Sequence, residues 1–282
     1  MTRLMKKTKY SFKDNKSKKN KTEFKKTARS KYFKYISLII LIVVIAAGAR
    51  FVYWGSNPAK ASTSALKSAE NQSVIIDRND DYVSVMPKDI KPTKAFILYP
   101  GGNVEPEAYI PSFASLSQQA QIMVIIPRVP FALAFLDIDS AYSVRSLVIH
   151  DNPQINSWFL GGHSLGGVAA CRAITHEDQY SFSGFVLLAS YCSNDISDNP
   201  TNVISIVGSD DGLISQEDIK THKNNLNTKA RFEVIEGMNH AEFGAYGPQK
   251  GDNNAKISNQ QATAAFTKLL ASFIDDNTIT GE

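Results

Sequence analysis

Residues 158–170 read WFLGGHSLGGVAA, and the interpretation of the whole chain starts from them. A short apolar run leads into Gly162-x-Ser164-x-Gly166, and an Ala-rich segment with helical character follows. A strand, a sharp turn and a helix in that order are the context in which a G-x-S-x-G string has chemical meaning. The glycines keep side chains out of the crowded bend. We therefore expect the hydroxyl of Ser164 above the carboxyl edge of a sheet, beside the free N–H groups that begin a helix.

Apolar runs of strand length alternate with helical segments along the rest of the chain. The strand-like runs lie at 95–99, 122–126, 157–160, 185–189, 203–207 and 231–235, and the helical segments at 107–119, 132–149, 216–226 and 258–274. Two β-rich runs, 73–77 and 82–86, precede them and are predicted to form an antiparallel hairpin. Buried strands separated by helices indicate an α/β fold, a mostly parallel sheet covered by helices on both faces.

Candidate catalytic residues follow the predicted strands in a set order. In such sheets the site lies beyond the carboxyl ends of the strands. Ser164 follows the run at 157–160, the string GSDDG (208–212) follows 203–207, and the string EGMNH (236–240) follows 231–235. A serine, a carboxylate and a histidine in this chain order are typical of one class of nucleophilic hydrolase.

Each of these residue types has a chemical role. The Ser164 hydroxyl needs a base within hydrogen-bond reach, and His240 would take its proton and return it to the leaving group. Asp211 would hold the imidazole in the right tautomer; the adjacent Asp210 is the less favoured choice. His163, inside the turn, is expected to be a packing residue. No His, Asp or Glu cluster in the sequence has metal-ligand spacing, so neither a metal nor another cofactor is predicted.

The backbone supplies the remaining part of the predicted site. The N–H of Leu165 and that of Gly102 or Asn103, in the string PGGN after the run 95–99, are expected to bind the oxyanion of the transition state.

Four strings together resemble the α/β-hydrolase superfamily, and most closely its compact bacterial branch of dienelactone-hydrolase-like and carboxylesterase-like enzymes. They are YPGGNV (99–104, followed by Ala108-Tyr109), GGHSLGG (161–167), GSDDG (208–212) and NHAEFGAYG (239–247). The resemblance covers residues 73–274 and implies an α/β-hydrolase fold and a serine esterase that acts through an acyl-enzyme. Two departures stand out: Pro100-Gly101 replaces the usual His-Gly, and the short segment 190–203 leaves little material for a lid.

Charge divides the chain of 282 residues into unequal parts. Residues 1–34 hold 14 basic residues (Lys and Arg) and 2 acidic residues (Asp and Glu), a net charge of +12. The remainder holds 17 basic and 25 acidic residues, a net charge of −8. The segment 1–34 has too few large aliphatic residues to bury a core and is predicted to be a basic cytoplasmic tail, attracted to anionic lipids or serving only as a topology signal. Residues 55–72, rich in Ser, Ala and Lys, are interpreted as a linker, and 73–282 as the catalytic domain.

Residues 35–54 are predicted to be a transmembrane anchor. Twenty residues at about 1.5 Å each span one hydrocarbon core, with Arg50 near the outer end and Tyr53 and Trp54 at headgroup level. The positive-inside rule places the basic tail in the cytoplasm and the catalytic domain outside the cell membrane. A cleaved signal peptide is the alternative, since residues 47–49 form an A-x-A string. Cys171 and Cys192 would pair only in an exported domain; two small buried thiols are the preferred interpretation.

The function predicted from the sequence is a membrane-anchored, extracytoplasmic serine hydrolase that cleaves a small carboxylic ester. Hydrolysis and acyl transfer use the same residues, so an acyltransferase stays open. A catalytically silent binding module on the same scaffold is a further alternative. Because the excess positive charge is confined to the tail, nucleic-acid binding is not expected. The sequence leaves the oligomeric state open.

Overall fold

The computed structural model describes residues 8–175 and 181–279, with only the backbone described for residues 8–31. The chain forms two compact units, residues 1–54 and 55–282.

A single helix, α1 (Thr8–Gly55), runs through the first unit. Within the described residues, its segment Tyr32–Gly55 is the one stretch that is long and apolar enough to cross a bilayer. The helical backbone from Thr8 onward differs from the expectation of an unfolded basic tail. An α-helix satisfies its own backbone hydrogen bonds without a core, and the apolar continuation provides the costly first turns that a short helix lacks.

An eight-stranded sheet organises the second unit, in the order β1-β2-β4-β3-β5-β6-β7-β8. Strands β3 to β8 run parallel, while β1 pairs with β2 and β2 with β4 in antiparallel fashion. The predicted hairpin and the mostly parallel sheet are thereby confirmed. The strands are β1 (Val74–Arg78), β2 (Tyr82–Pro87), β3 (Lys94–Tyr99), β4 (Ile122–Pro127), β5 (Ser157–His163), β6 (Gly184–Leu188), β7 (Asn202–Gly208) and β8 (Arg231–Ile235).

Helices cover both faces of this sheet because alternate side chains of each buried strand point to opposite sides. In β3, Phe96 and Leu98 join the core cluster beneath two helices, α3 (Ile110–Ala120) and α7 (Asn259–Asp276). Ala95, Ile97 and Tyr99 join the opposite cluster with α4 (Ser140–Asp151) and α5 (Leu165–Ile174). The remaining helices are α2 (Thr63–Glu70) and α6 (Gln216–His222).

The helix predicted over 132–149 begins only at Ser140. Phe131 and Ala132 have φ of 55° and 52°, in the left-handed region, and the chain then passes through short 3₁₀ turns at Pro130–Ala132 and Ala134–Leu136. Two left-handed residues cannot continue a right-handed helix. A loop therefore replaces the first two turns of the predicted helix.

Residues 55–72, expected to be a linker, are folded onto the second unit. Ala59 forms a β-bridge with Val104, and α2 buries Ala69 completely in a cluster with Ile110 and Ala114. Ser and Ala content suggested a tether, but small side chains also allow a helix to pack closely on its neighbours. The ordered part of this unit therefore starts at Gly55 rather than at residue 73.

Candidate active site

Ser164 occupies the turn between β5 and α5 that the sequence predicts. Its φ of 54° and ψ of −127° are strained for a residue with a side chain, and its N–H donates to the Leu188 carbonyl at 2.9 Å. A Cβ added to Gly162 would lie 2.3 Å from the carbonyl carbon of Gly166, and one added to Gly166 would lie 2.4 Å from the backbone carbonyl oxygen of Tyr99. The flanking glycines are thus required by close backbone approach, and the side chain of Ser164 is left partly exposed at the start of α5.

Asp211 and His240 meet beyond the ends of β7 and β8. Nδ1 of His240 lies 2.9 Å from Oδ2 of Asp211, and both side chains are buried, at 0% and 1% exposure. The other carboxylate oxygen of Asp211 accepts the N–H groups of Leu213 and Ile214 at 2.8 and 2.7 Å. Since the carboxylate can only accept, Nδ1 of His240 carries the proton in the neutral ring and Nε2 is a bare acceptor.

Asp210, the alternative acid, faces a different partner. Lys256 Nζ lies 2.6 Å from its carboxylate, and that hydrogen bond lowers the pKa of Asp210. The structure therefore brings Asp211, and not Asp210, to the histidine.

Ser164 and His240 are not hydrogen-bonded to each other in this structure. Nε2 of His240 is buried and has no hydrogen-bond partner among the described residues. The ring of His240 nevertheless lies against the turn, because its centroid is 4.7 Å from that of His163, the residue before the serine. A buried acceptor without a donor is unfavourable, and catalytic hydrogen bonds of this kind often close only when substrate is bound.

His163 is more than the packing residue that the sequence suggested. Its Nε2 lies 3.1 Å from the His240 carbonyl oxygen and its Nδ1 lies 2.9 Å from the Tyr109 hydroxyl, which in turn accepts the Gly101 N–H at 2.7 Å. Burial lowers the pKa of His163 well below its ordinary value, and the nearby His240 lowers it further. The ring is therefore neutral: Nε2 donates to the carbonyl, and Nδ1 accepts from the tyrosine.

This chain of hydrogen bonds joins the loop after β3 to the loop after β8. Tyr109 is fully buried, and burial raises the pKa of its hydroxyl, which keeps it protonated. Tyr109 lay beside one of the strings used for the family resemblance, but spacing alone assigns it no role. Its function depends on contacts with residues 8 and 54 positions away, which no local pattern reveals.

The candidate oxyanion donors are only partly as predicted. The Asn103 N–H donates to the Ala132 carbonyl at 2.8 Å, so this group is already engaged and Asn103 is not the donor in this conformation. Its φ of 59° turns the chain toward that carbonyl. The N–H groups of Gly102 and Leu165 form no hydrogen bond to any described residue. These two are the donors that the structure leaves available, one in the loop after β3 and one on the residue that follows Ser164.

Apolar side chains rim the mouth of the site. A Cβ added to Gly102 would lie 2.6 Å from Leu165 Cδ1 and 3.6 Å from Leu133 Cδ2. Leu165 is 48% exposed, whereas Leu133 is buried.

The two cysteines form a disulfide, with their Cα atoms 5.3 Å apart. This overturns the preferred interpretation of two buried thiols. Cys171 lies on α5 and Cys192 in the segment after β6, and the fold brings these two elements together on the same face of the sheet. Close by, the Ser190 hydroxyl donates to the Ser164 carbonyl at 2.8 Å. The start of α5 is thus held by a side-chain hydrogen bond and its middle by a covalent bond.

A further group near the histidine has perturbed acidity. Burial raises the pKa of Glu242 to about 7, the nearby Asp252 adds to the effect, and the Asn239 N–H opposes it. Asp252 itself accepts the N–H groups of His240 and Ala241, at 3.3 and 3.0 Å, and so shapes the histidine loop. Among the described residues no group of three His, Cys, Asp or Glu side chains has a metal-binding arrangement.

The fold is an α/β fold that presents a serine on a strained strand–helix turn, beside a buried histidine–aspartate pair. The sequence profile of the alpha/beta hydrolase family matches residues 95–264, and the chain belongs to that family. No curated protein sequence matches the chain.

Solved structures of hydrolases share the fold at low sequence identity. Fungal esterases from Rhizomucor miehei superpose with a TM-score of 0.57 at 11% identity, over 77% of this chain and 86% of theirs. Carboxyl esterase 2 from Tuber melanosporum gives 0.55 at 11% identity, over 79% and 92%. An alpha-beta serine hydrolase homologue from Coxiella burnetii gives 0.51 at 13% identity, over 72% and 97%. At these identities the similarity establishes the fold, and the chemistry must be argued from the site.

Proposed function

We propose that this protein is a membrane-anchored, extracytoplasmic serine hydrolase that cleaves carboxylic esters through Ser164, His240 and Asp211. The observation that carries the proposal is the buried His240–Asp211 pair: the ring of His240 lies beside the turn that exposes Ser164, and its Nε2 has no hydrogen-bond partner among the described residues. The named esterases among the structural neighbours support an ester as the substrate.

In the first half-reaction, Ser164 Oγ attacks the ester carbonyl carbon while its proton passes to His240 Nε2. The carbonyl electron pair moves onto oxygen, and the N–H groups of Gly102 and Leu165 bind the resulting oxyanion. Asp211 stabilises the imidazolium that forms. Collapse of the tetrahedral intermediate breaks the C–O bond to the alcohol, which takes the proton from Nε2 and leaves an acyl-enzyme on Ser164.

The second half-reaction repeats these steps with water as the nucleophile. His240 removes a proton from water, hydroxide adds to the acyl carbon, and the carboxylic acid departs as Ser164 recovers its proton. An acyltransferase would use a second alcohol in place of water. No residue contact in the described structure favours that acceptor, so hydrolysis is the proposal.

Two features support the placement outside the cytoplasm. The basic residues are concentrated before the apolar segment Tyr32–Gly55, which favours a cytoplasmic N-terminus. The Cys171–Cys192 disulfide suits an oxidising compartment.

The test uses the full-length protein in detergent with a fluorophosphonate probe and p-nitrophenyl acetate. We expect the probe to label Ser164 and the ester to be hydrolysed, with both signals lost in Ser164→Ala. Absence of labelling and turnover in the folded wild-type protein would favour the silent binding module. Faster alcohol acylation than hydrolysis in the presence of added alcohols would identify an acyltransferase.

A further inference from the structure

We infer that this protein has a second binding site, a polar groove beside the loop that carries His240, and that its ligand is a neutral oligosaccharide. The inference concerns binding alone and goes beyond the proposed ester hydrolysis. It rests on the chemistry of the groove, whose lining residues all belong to the unit of residues 55–282.

Three helices and the loop between β8 and α7 form the groove, which has a volume of about 1200 Å³. Helix α3 packs against both α2 and α7, and each helix contributes lining residues that are four positions apart. This spacing places side chains on one face of a helix. They are Ser64 and Ser68 of α2, Ser115 and Gln119 of α3, and Thr263 and Thr267 of α7. The segment 55–72, whose composition suggested a tether, therefore supplies one wall of a cavity.

The chemistry of the lining excludes several classes of ligand. More than half of the lining residues carry a hydroxyl or an amide group, and among the described residues no Lys, Arg, His or aromatic side chain lines the groove. A phosphate or carboxylate ligand would lack the cationic partners that bind such groups. An acyl chain would lack large apolar side chains to pack against. The groove is therefore suited to a ligand that forms hydrogen bonds and carries no charge.

The two acidic residues of the groove do not make it a cation site. Asp252 accepts four backbone N–H groups, from its own loop and from the turn after β7, at 2.9 to 3.3 Å. These hydrogen bonds already stabilise its negative charge. Burial raises the pKa of Glu242 to about 7, so a large part of this carboxyl is protonated near neutral pH. The protonated group can both donate and accept, as a ligand rich in hydroxyls requires.

Three buried polar atoms in the walls have no hydrogen-bond partner among the described residues: Asn239 Oδ1, Glu242 Oε2 and Thr267 Oγ1. Asn239 and Thr267 are only 8% and 2% exposed. The amide nitrogen of Asn239 donates to the Asn253 carbonyl at 2.6 Å, so its oxygen is the atom left to accept. Buried polar groups without partners are unfavourable. A ligand with many hydroxyls can pair with them when these side chains shift toward the groove.

The size and walls of the groove favour an oligosaccharide over a peptide. Sites for single small molecules usually have about 300–1,000 Å³, and this groove exceeds that range. Peptides commonly bind by adding a strand to a sheet edge or by placing apolar anchors in an apolar groove. No described lining residue lies in a strand, and the apolar lining residues are Ala and Pro. A saccharide, which carries hydroxyls on every ring, matches these walls better.

The groove adjoins the loop of the catalytic base without including the base. Asn239 and Ala241, on either side of His240, line the groove, whereas His240, Ser164 and Asp211 do not. A bound saccharide therefore contacts the loop rather than the nucleophile. The groove would serve recognition of a glycan, separately from the chemistry at the ester bond.

Calorimetric titration of the full-length protein tests the class of ligand. The protein is kept in lauryldimethylamine oxide, a detergent without a sugar headgroup. It is titrated with maltohexaose, xylohexaose and chitohexaose, and with the anionic hexagalacturonate as control. We expect at least one neutral hexasaccharide to bind with a Kd of about 1 mM or lower, and hexagalacturonate to bind at least tenfold more weakly than the best of them. A neutral Gly-Ser hexapeptide that binds as tightly as the best saccharide would overturn the assignment to a glycan.

A matched pair of double variants tests the location. Gln119→Leu/Gln260→Leu removes two amides from the α3 and α7 walls, whereas Gln118→Leu/Ser272→Leu changes residues of the same helices outside the groove. All four side chains are exposed, so both variants should fold, and equal melting temperatures check this. We expect the first variant to bind the best saccharide at least tenfold more weakly and the second to stay within twofold of wild type.

The outcomes separate this inference from the proposed function. Equal affinities of the two double variants, or no binding of any neutral hexasaccharide, would overturn the inference, and hydrolysis of p-nitrophenyl acetate would then leave the proposed function intact. Saccharide binding that is lost only in the groove variant would support the inference, even in a protein that neither cleaves the ester nor reacts with the fluorophosphonate. That second result would count against the esterase alone.

Discussion

Single side chains determine the chemistry of the proposed site. Two adjacent aspartates follow β7 in a turn, yet only Asp211 bonds to His240, while Asp210 pairs with Lys256. The chain reverses here, with the Asp211 N–H donating to the Gly208 carbonyl at 3.3 Å, and the two side chains leave the turn toward different partners. The structure therefore offers a pair of matched substitutions, one residue apart, with opposite expected results.

Asp211→Asn should lower kcat by about 10³–10⁴, because the amide cannot hold Nδ1 as the protonated nitrogen of the histidine. Asp210→Asn should retain activity within threefold, since it alters a partly exposed ion pair with Lys256 and a hydrogen bond from the Ser209 hydroxyl, neither of which involves His240. Steady-state kinetics on p-nitrophenyl acetate measure both. Similar losses in the two variants would contradict the assignment of Asp211.

Glu242 is a second residue whose behaviour depends on its surroundings. Its folded pKa of about 7 lies above the ordinary value of 4.5, so folding disfavours the ionised carboxylate. The contribution of protonated Glu242 to the free energy of unfolding is fully present below about pH 4.5 and is lost as pH rises through about 7. Glu242→Gln, which is always neutral, should melt at the same temperature as wild type near pH 4.5 and at a higher temperature at pH 8.

Thermal unfolding of both proteins over that pH range measures the effect, with Glu236→Gln as a control at an exposed position. A difference between wild type and Glu242→Gln that does not change with pH would argue against the raised pKa.

The loops at the ends of the strands act together through buried side chains. Tyr109 and His163 link Gly101, in the loop after β3, to the carbonyl of His240 in the loop after β8. One loop carries the candidate oxyanion donor Gly102, and the other carries the candidate base. We expect this connection to maintain the distance between the two, because each partner has its hydrogen-bonding capacity satisfied only in this arrangement.

Tyr109→Phe tests that connection, since it keeps the buried ring and removes the hydroxyl. We expect kcat to fall about tenfold with KM nearly unchanged, because the base and the oxyanion donor lose their common support. The free energy of unfolding should fall by about 2 kcal/mol, since the Gly101 N–H and His163 Nδ1 are left buried without partners.

Tyr246→Phe is the matched control, because among the described residues the Tyr246 hydroxyl bonds only to Gln249, and its loss should change kcat less than twofold. A Tyr109→Phe protein that is less stable but has the wild-type kcat would show that the link is purely structural.

The molecule as a whole consists of two compact units, residues 1–54 and residues 55–282. The segment 55–72 is part of the second unit: the Ser62 N–H donates to the Ala245 carbonyl at 2.8 Å, and Ala69 is completely buried against α3. The border between the two parts, residues 54 and 55, therefore differs from the border suggested by composition.

Two truncated proteins test whether the folded unit begins at residue 55 or at residue 73. A protein that begins at residue 55 should be monodisperse in size-exclusion chromatography and cleave p-nitrophenyl acetate at a rate close to that of the full chain. A protein that begins at residue 73 lacks α2 and the Ala59 bridge, so it should melt at least 10 °C lower or aggregate. Equal melting temperatures would mean that 55–72 contributes no stability.

Local patterns in the sequence were sufficient for the strands, the turn at Ser164 and the order of serine, acid and histidine. Such features depend on hydrophobic periodicity and on glycines that backbone contact requires, and both are visible within a few residues. The pairing of Asp210 with Lys256, the engagement of Asn103 by Ala132, the Tyr109–His163 connection and the disulfide were decided by tertiary contacts. Each joins elements that are distant along the chain, and a hydrogen bond or covalent bond across such a distance leaves no periodic trace in the sequence.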